Sequence, residues 1–116
     1  MPEQNIVRVS GKARLPWTCG PDADSGVWVG VCPPLALTIQ GETWADLMES
    51  IADALDALIK DLFEDGELEQ FLKEHGWTLS KQIQQDALAD SWFDVPFVPE
   101  QASANDLQRA VSQQAA

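Results

Sequence analysis

Residues Val27–Gly66 read VWVGVCPPLALTIQGETWADLMESIADALDALIKDLFEDG, and this stretch decides the fold class. Its second half is a capped amphipathic helix. Thr43 is a favourable N-cap, with Asp46 placed as its capping-box-like partner. Glu42 and Asp46 also suit the positive end of the helix dipole. Trp44, Leu47, Met48, Ile51, Leu55, Leu58, Ile59, Leu62 and Phe63 recur at three- and four-residue steps, which gathers them into one apolar stripe. Gly66 is the natural stop. The first half reads as two strands. Val27–Cys32 is apolar at both parities, the pattern of a central strand covered on both faces. Pro33-Pro34 ends it, and Leu35–Gln40 alternates as a further strand closed by Gly41.

Upstream, Val7, Val9, Gly11, Ala13, Leu15 and Trp17 alternate with Arg8, Ser10, Lys12 and Arg14. That period of two predicts one strand from Val7 to Trp17 with a wet face, and Gly11 marks a bend or bulge in it. Thr18–Gly26 is dense in turn formers and reads as a loop. Downstream, Glu67–His75 reads as a second helix capped by Gly76, and Trp77–Leu79 as a short strand. Residues 82–90 have moderate helix propensity. Trp92–Val98 is aromatic and apolar, and Pro96 confines it to an edge strand or a docking segment. Residues 99–116, rich in Gln, Ala and Ser, predict a disordered tail. The expected organisation is an α+β domain over 1–80, an extension over 81–98 and the tail. Its centre is a three-stranded antiparallel sheet, in β-β-β-α-α-β order, with the long helix packed on one face.

The net charge of −12 over 116 residues is unevenly spread. Residues 1–41 are balanced, whereas 42–76 carry eleven acids and two bases. A helical face this acidic repels phosphates, so nucleic acid is not an expected direct partner. It attracts a basic protein and speeds the encounter. No apolar run approaches the roughly 20 residues that span a bilayer, and there is no signal-peptide pattern. The expected setting is the cytoplasm, with Cys19 and Cys32 as free thiols.

No catalytic constellation can be assembled, so the chain is not expected to be an enzyme. His75, the single histidine, sits at a helix end with no serine or cysteine spaced to use it as a base. The strands Val7–Trp17, Val27–Cys32 and Leu35–Gln40 carry no aspartate, against two-metal nuclease chemistry. The two cysteines lack the spacing of a zinc site. No metal, cofactor or catalytic residue is therefore expected. Trp17 and Trp44 fall on dry faces, while Trp92, Phe93 and Phe97 lie outside the confident pattern and are the candidate partner-binding residues.

The ordered set Trp28-Val29-Gly30, Pro33, Leu35, Gln40-Gly41-Glu42-Thr43 and Ile51–Leu55 resembles HicB-like antitoxins. The resemblance covers about residues 5–80 and implies a partial RNase H-like fold: three antiparallel strands, a long helix and a further strand. It implies a protein that neutralises a small basic HicA-like mRNA interferase by binding it. Many such proteins also carry a DNA-binding domain. Here residues 80–116 hold only Lys81 and Arg109 as bases, so none is evident. The competing expectation is a stand-alone, self-associating adaptor domain, a homo-oligomer such as a dimer, built through a sheet edge or the Trp92–Val98 segment.

Overall fold

The computed structural model describes residues 5–11 and 14–115. They form a mixed α+β architecture with two sheets. The strands are β1 (Asn5–Gly11), β2 (Leu15–Pro21), β3 (Trp28–Cys32), β4 (Leu37–Gly41), β5 (Trp77–Leu79), β6 (Ser91–Asp94) and β7 (Phe97–Gln101). The helices are α1 (Trp44–Glu64), α2 (Leu68–His75) and α3 (Ala104–Ala115). The chain divides into two compact units. One combines the chain up to Arg14 with Ala52–Pro96, and the other combines Leu15–Ile51 with the chain from Phe97 onward.

In the unit holding Leu15–Ile51, the strand order is β4-β3-β2-β7. β2, β3 and β4 are antiparallel neighbours, and β7 runs parallel to β2 with Leu15 opposite Phe97 and Cys19 opposite Gln101. The doubly apolar character of β3 has a direct cause. One face meets the first turns of α1: a Cβ on Gly30 would stand 3.1 Å from Ile51 and 3.4 Å from Leu47. The other face packs Val29 and Val31 against Leu107, Ala110 and Val111 of α3. Leu47 and Ile51 are fully buried, each worth roughly 2 kcal/mol of apolar transfer. Thr43 caps α1 as the sequence predicts: its Oγ1 accepts the Asp46 N–H at 3.1 Å.

In the unit holding Ala52–Pro96, the order is β5-β1-β6, with β5 antiparallel and β6 parallel to the central β1. Val7, Val9, Phe93 and Trp77 are buried on one side of this sheet, as are Leu55 and Ile59 of α1 and Leu68 of α2. Gly76 takes φ 65° and ends α2, its N–H donating to the Lys73 carbonyl at 3.2 Å.

Several expectations need correction. The single strand predicted from Val7 to Trp17 is two strands, β1 and β2, in different sheets; Lys12 and Ala13 lie outside the described residues. The one three-stranded sheet is accordingly two sheets of three and four strands. β2 extends into the expected loop as far as Pro21. Leu35 belongs to a 3-10 turn over Pro33–Leu35, and Ala36 takes a left-handed φ of 54°, so the following strand begins at Leu37. Within residues 82–90, of moderate helix propensity, Gln85–Asp90 form a 3-10 helix. Pro96 separates two strands, β6 and β7, in place of one edge segment. Where composition predicts a disordered tail, Pro99–Gln101 belong to β7 and α3 follows with Leu107 and Ala110 buried. That helix exists because β3 has a second apolar face to cover.

Candidate protein-interaction surfaces

Among the described residues, no three His, Cys, Asp or Glu side chains gather closely enough to hold a metal ion. His75 is held in an aromatic sandwich, with its ring centroid 4.3 Å from that of Phe71 and 5.0 Å from that of Trp77. Its Nδ1 lies 2.9 Å from the Phe71 carbonyl oxygen, which can only accept, so Nδ1 carries the proton. This His braces the last turn of α2 against β5. Cys19 and Cys32 are free and buried. Burial pushes the Cys19 thiol up to about 11 and raises that of Cys32.

The surfaces are more informative. Ten of the eleven carboxylates between 42 and 76 are exposed. Seven of them belong to the β5-β1-β6 unit: Asp53, Asp61, Glu64, Asp65, Glu67, Glu69 and Glu74. The eleventh, Asp56, is buried. Its Oδ1 accepts the Phe93 N–H at 2.9 Å, and its Oδ2 accepts from Lys60 Nζ at 2.9 Å. Asp56 therefore ties α1 to the backbone of β6. The sequence carries only the Asp56–Lys60 spacing as a hint; the Phe93 amide is 37 residues away.

The same unit holds an open groove of about 680 Å³ between the end of α1, α2 and the outer strand β5. Phe63, Leu68, Leu72, Leu79 and Ile83 give it apolar walls, and Glu69, Lys73 and Lys81 stand on its rim. Its volume falls in the range of small-molecule and peptide sites.

The opposite side of the β5-β1-β6 sheet from Val7 and Phe93 is open. Ile6, Arg8 and Ser10 of β1, Thr78 of β5 and Asp94 of β6 are all exposed on it. Trp92 stands half-buried among them, in register with Ile6, while Arg8 is in register with Asp94.

The three aromatic candidates thus separate. Trp92 lies on this open face and is accessible to a partner. Phe93 points the other way and is 1% exposed, so it is a core residue. Phe97 lies on β7 in the other unit, edge-on to the buried Trp17 with ring centroids 6.5 Å apart. Trp44, expected in the core, is half-buried and meets Trp28 edge-on at 5.5 Å. No helix among the described residues is long and apolar enough to cross a membrane. No family model matches the chain, and no curated protein or solved structure matches it.

Proposed function

We propose that this chain is a non-catalytic protein-binding module of the HicB-like kind, which captures and neutralises a small basic protein of the HicA-like mRNA interferase class. The observation that carries the reading is the exposed acidity of residues 42–76: ten carboxylates, seven of them in the β5-β1-β6 unit, opposed in that stretch only by Lys60, already paired to Asp56, and Lys73. Such a surface raises the encounter rate with a basic protein and repels nucleic acid. The strand arrangement lends support. β2, β3 and β4 form an antiparallel run and α1 follows, which supports the reading. In this reading the protein works in the cytoplasm, where Cys19 and Cys32 remain thiols.

The test is co-expression with the product of the neighbouring reading frame, if that frame encodes a small basic protein. The expected result is a co-purifying complex and relief of the partner's toxicity. Reversing three exposed acids together (D53K, D61K and E64K) is expected to slow association at least tenfold at low salt. Absence of any complex with such a neighbour overturns the proposal.

A further inference from the structure

We propose that the open face of the β5-β1-β6 sheet is a self-association surface, seating the same face of a second copy of this chain. The proposal is independent of the basic partner and rests on a different part of the molecule.

Three observations carry it. The first is apolar exposure. Ile6 is 50% exposed, the one large hydrophobic side chain so exposed among the described residues. It stands in register with the half-buried Trp92 on the neighbouring strand. An aliphatic side chain and an indole side by side on an uncovered sheet form an apolar centre that a partner would cover.

The second is charge. Arg8 and Asp94 lie two residues further along the same two strands, again in register and both exposed. Among the described residues neither takes part in an ion pair, the one such pair being Lys60–Asp56. The face formed by Ile6, Arg8, Ser10, Thr78, Trp92 and Asp94 is therefore neutral on a chain of net charge −12. Two copies repel through their acidic helices but not through this face. A basic partner, conversely, gains nothing electrostatic from it.

The third is symmetry. β1 and β6 run parallel. A twofold axis parallel to the strands, midway above β1 and β6, lays β1 of one copy over β6 of the other at the same height. That single operation sets Ile6 on Trp92 twice and Arg8 opposite Asp94 twice. The face is self-complementary, as an isologous interface requires. Aligned sheets pack roughly 10 Å apart, a distance that these side chains span from both sides. Only β1 and β6 overlap under this operation, a footprint of roughly 10 by 13 Å that is well below the ~800 Å² per partner of a standard interface. The dimer is accordingly weak and concentration-dependent.

The experiment is sedimentation velocity on the full chain from roughly 10 µM to 1 mM, a range that covers weak association. Wild type is expected to pass from monomer to dimer within it. R8E and D94R, each at an exposed position and checked for an unchanged circular dichroism spectrum, are each expected to weaken dimerisation at least tenfold. Mixed one to one, R8E and D94R regain opposite charges across the interface and are expected to dimerise at least as well as wild type. I6K removes the apolar centre and is expected to stay monomeric alone and in either mixture. A wild type that is monomeric at 1 mM overturns the proposal. So do single variants that dimerise like wild type, or a mixture that fails to restore association. If the wild type is monomeric and R8E and D94R instead weaken capture of the basic protein, the face belongs to that partner and the proposal is likewise overturned.

Discussion

Removing the Asp56 carboxyl tests how the β5-β1-β6 unit is held together. Asp56 is 7% exposed and accepts two hydrogen bonds at 2.9 Å, one from the Phe93 amide and one from Lys60. Asp56→Ala strips the acceptor from a buried backbone N–H, which costs about 1–3 kcal/mol. The lost pair with half-buried Lys60 adds about 0.5 kcal/mol, and the better helix propensity of alanine returns about the same. The net loss is about 2 kcal/mol. At roughly 4 °C per kcal/mol for a chain of this size, the melting temperature falls by about 8 °C. Asp56→Asn keeps an oxygen for the Phe93 amide and forfeits only the charge, so it costs about 1 kcal/mol. Urea unfolding followed by circular dichroism measures both values. Hydrogen exchange at the Phe93 amide supplies the local readout: protection is lost in Asp56→Ala and largely kept in Asp56→Asn. If Asp56→Asn is as damaging as Asp56→Ala, the carboxylate acts through its charge rather than as an acceptor. If Asp56→Ala lies within ~0.5 kcal/mol of wild type, the buried bond contributes nothing measurable; either result refutes the reasoning.

Further perturbations follow from the same geometry. Thr43→Ala deletes the Oγ1 acceptor of the Asp46 N–H and is expected to cost about 1 kcal/mol in urea unfolding, whereas Thr43→Ser keeps it. Gly41→Ala places a Cβ 2.5 Å from the backbone nitrogen of Leu47, so the α1 start must shift; an expected loss of about 1–3 kcal/mol is measurable by thermal melting. With the Cys19 thiol pushed up from 9.0 to about 11 by burial, its thiolate fraction at pH 8 is roughly 100-fold below that of an ordinary cysteine. Its alkylation is expected to be at least that much slower in native protein than in denaturant, rising tenfold per pH unit. Mass spectrometry of iodoacetamide-treated samples checks this, and rapid labelling at pH 8 would contradict it.

How much of this was legible in the sequence depends on how local the cause is. The helix α1 is written in its own residues: the Thr43 cap, the three-and-four spacing and Gly66 need no distant partner. The division between β1 and β2 is invisible to the same method. Alternation runs unbroken through Val7, Val9, Leu15 and Trp17, all buried, although two different sheets bury them. The one local trace is Gly11. A Cβ there would meet the Gly76 carbonyl oxygen at 2.7 Å, so the glycine permits the close approach of β5. The helix α3 was hidden by composition, because Leu107, Ala110 and Val111 are few apolar residues among polar ones. Yet β3, apolar on both faces, required a second cover, and the order in Ala104–Ala115 is the answer to that requirement. The aromatic candidates show the limit of pattern reading. Adjacent residues on a strand face opposite ways, so Trp92 and Phe93 cannot both be anchors, and only the pairing of β6 with β1 decides which is exposed.

The two surfaces of the β5-β1-β6 unit answer to different forces, and that difference separates their partners experimentally. The proposed capture through the exposed carboxylates would be long-range, and screening shortens its reach from about 10 Å at 0.1 M salt to about 3 Å at 1 M. The proposed self-association through Ile6 and Trp92 would be apolar and short-range, with Arg8 and Asp94 two residues further along the same strands. Raising salt also relieves repulsion between two chains of net charge −12. Capture of a basic protein is therefore expected to weaken steeply from 0.1 to 1 M salt, while self-association holds or strengthens. Titration of complex formation and of dimerisation against salt reads both slopes on one protein. If the two slopes share a sign, a single surface serves both associations, and the assignment of separate surfaces is wrong.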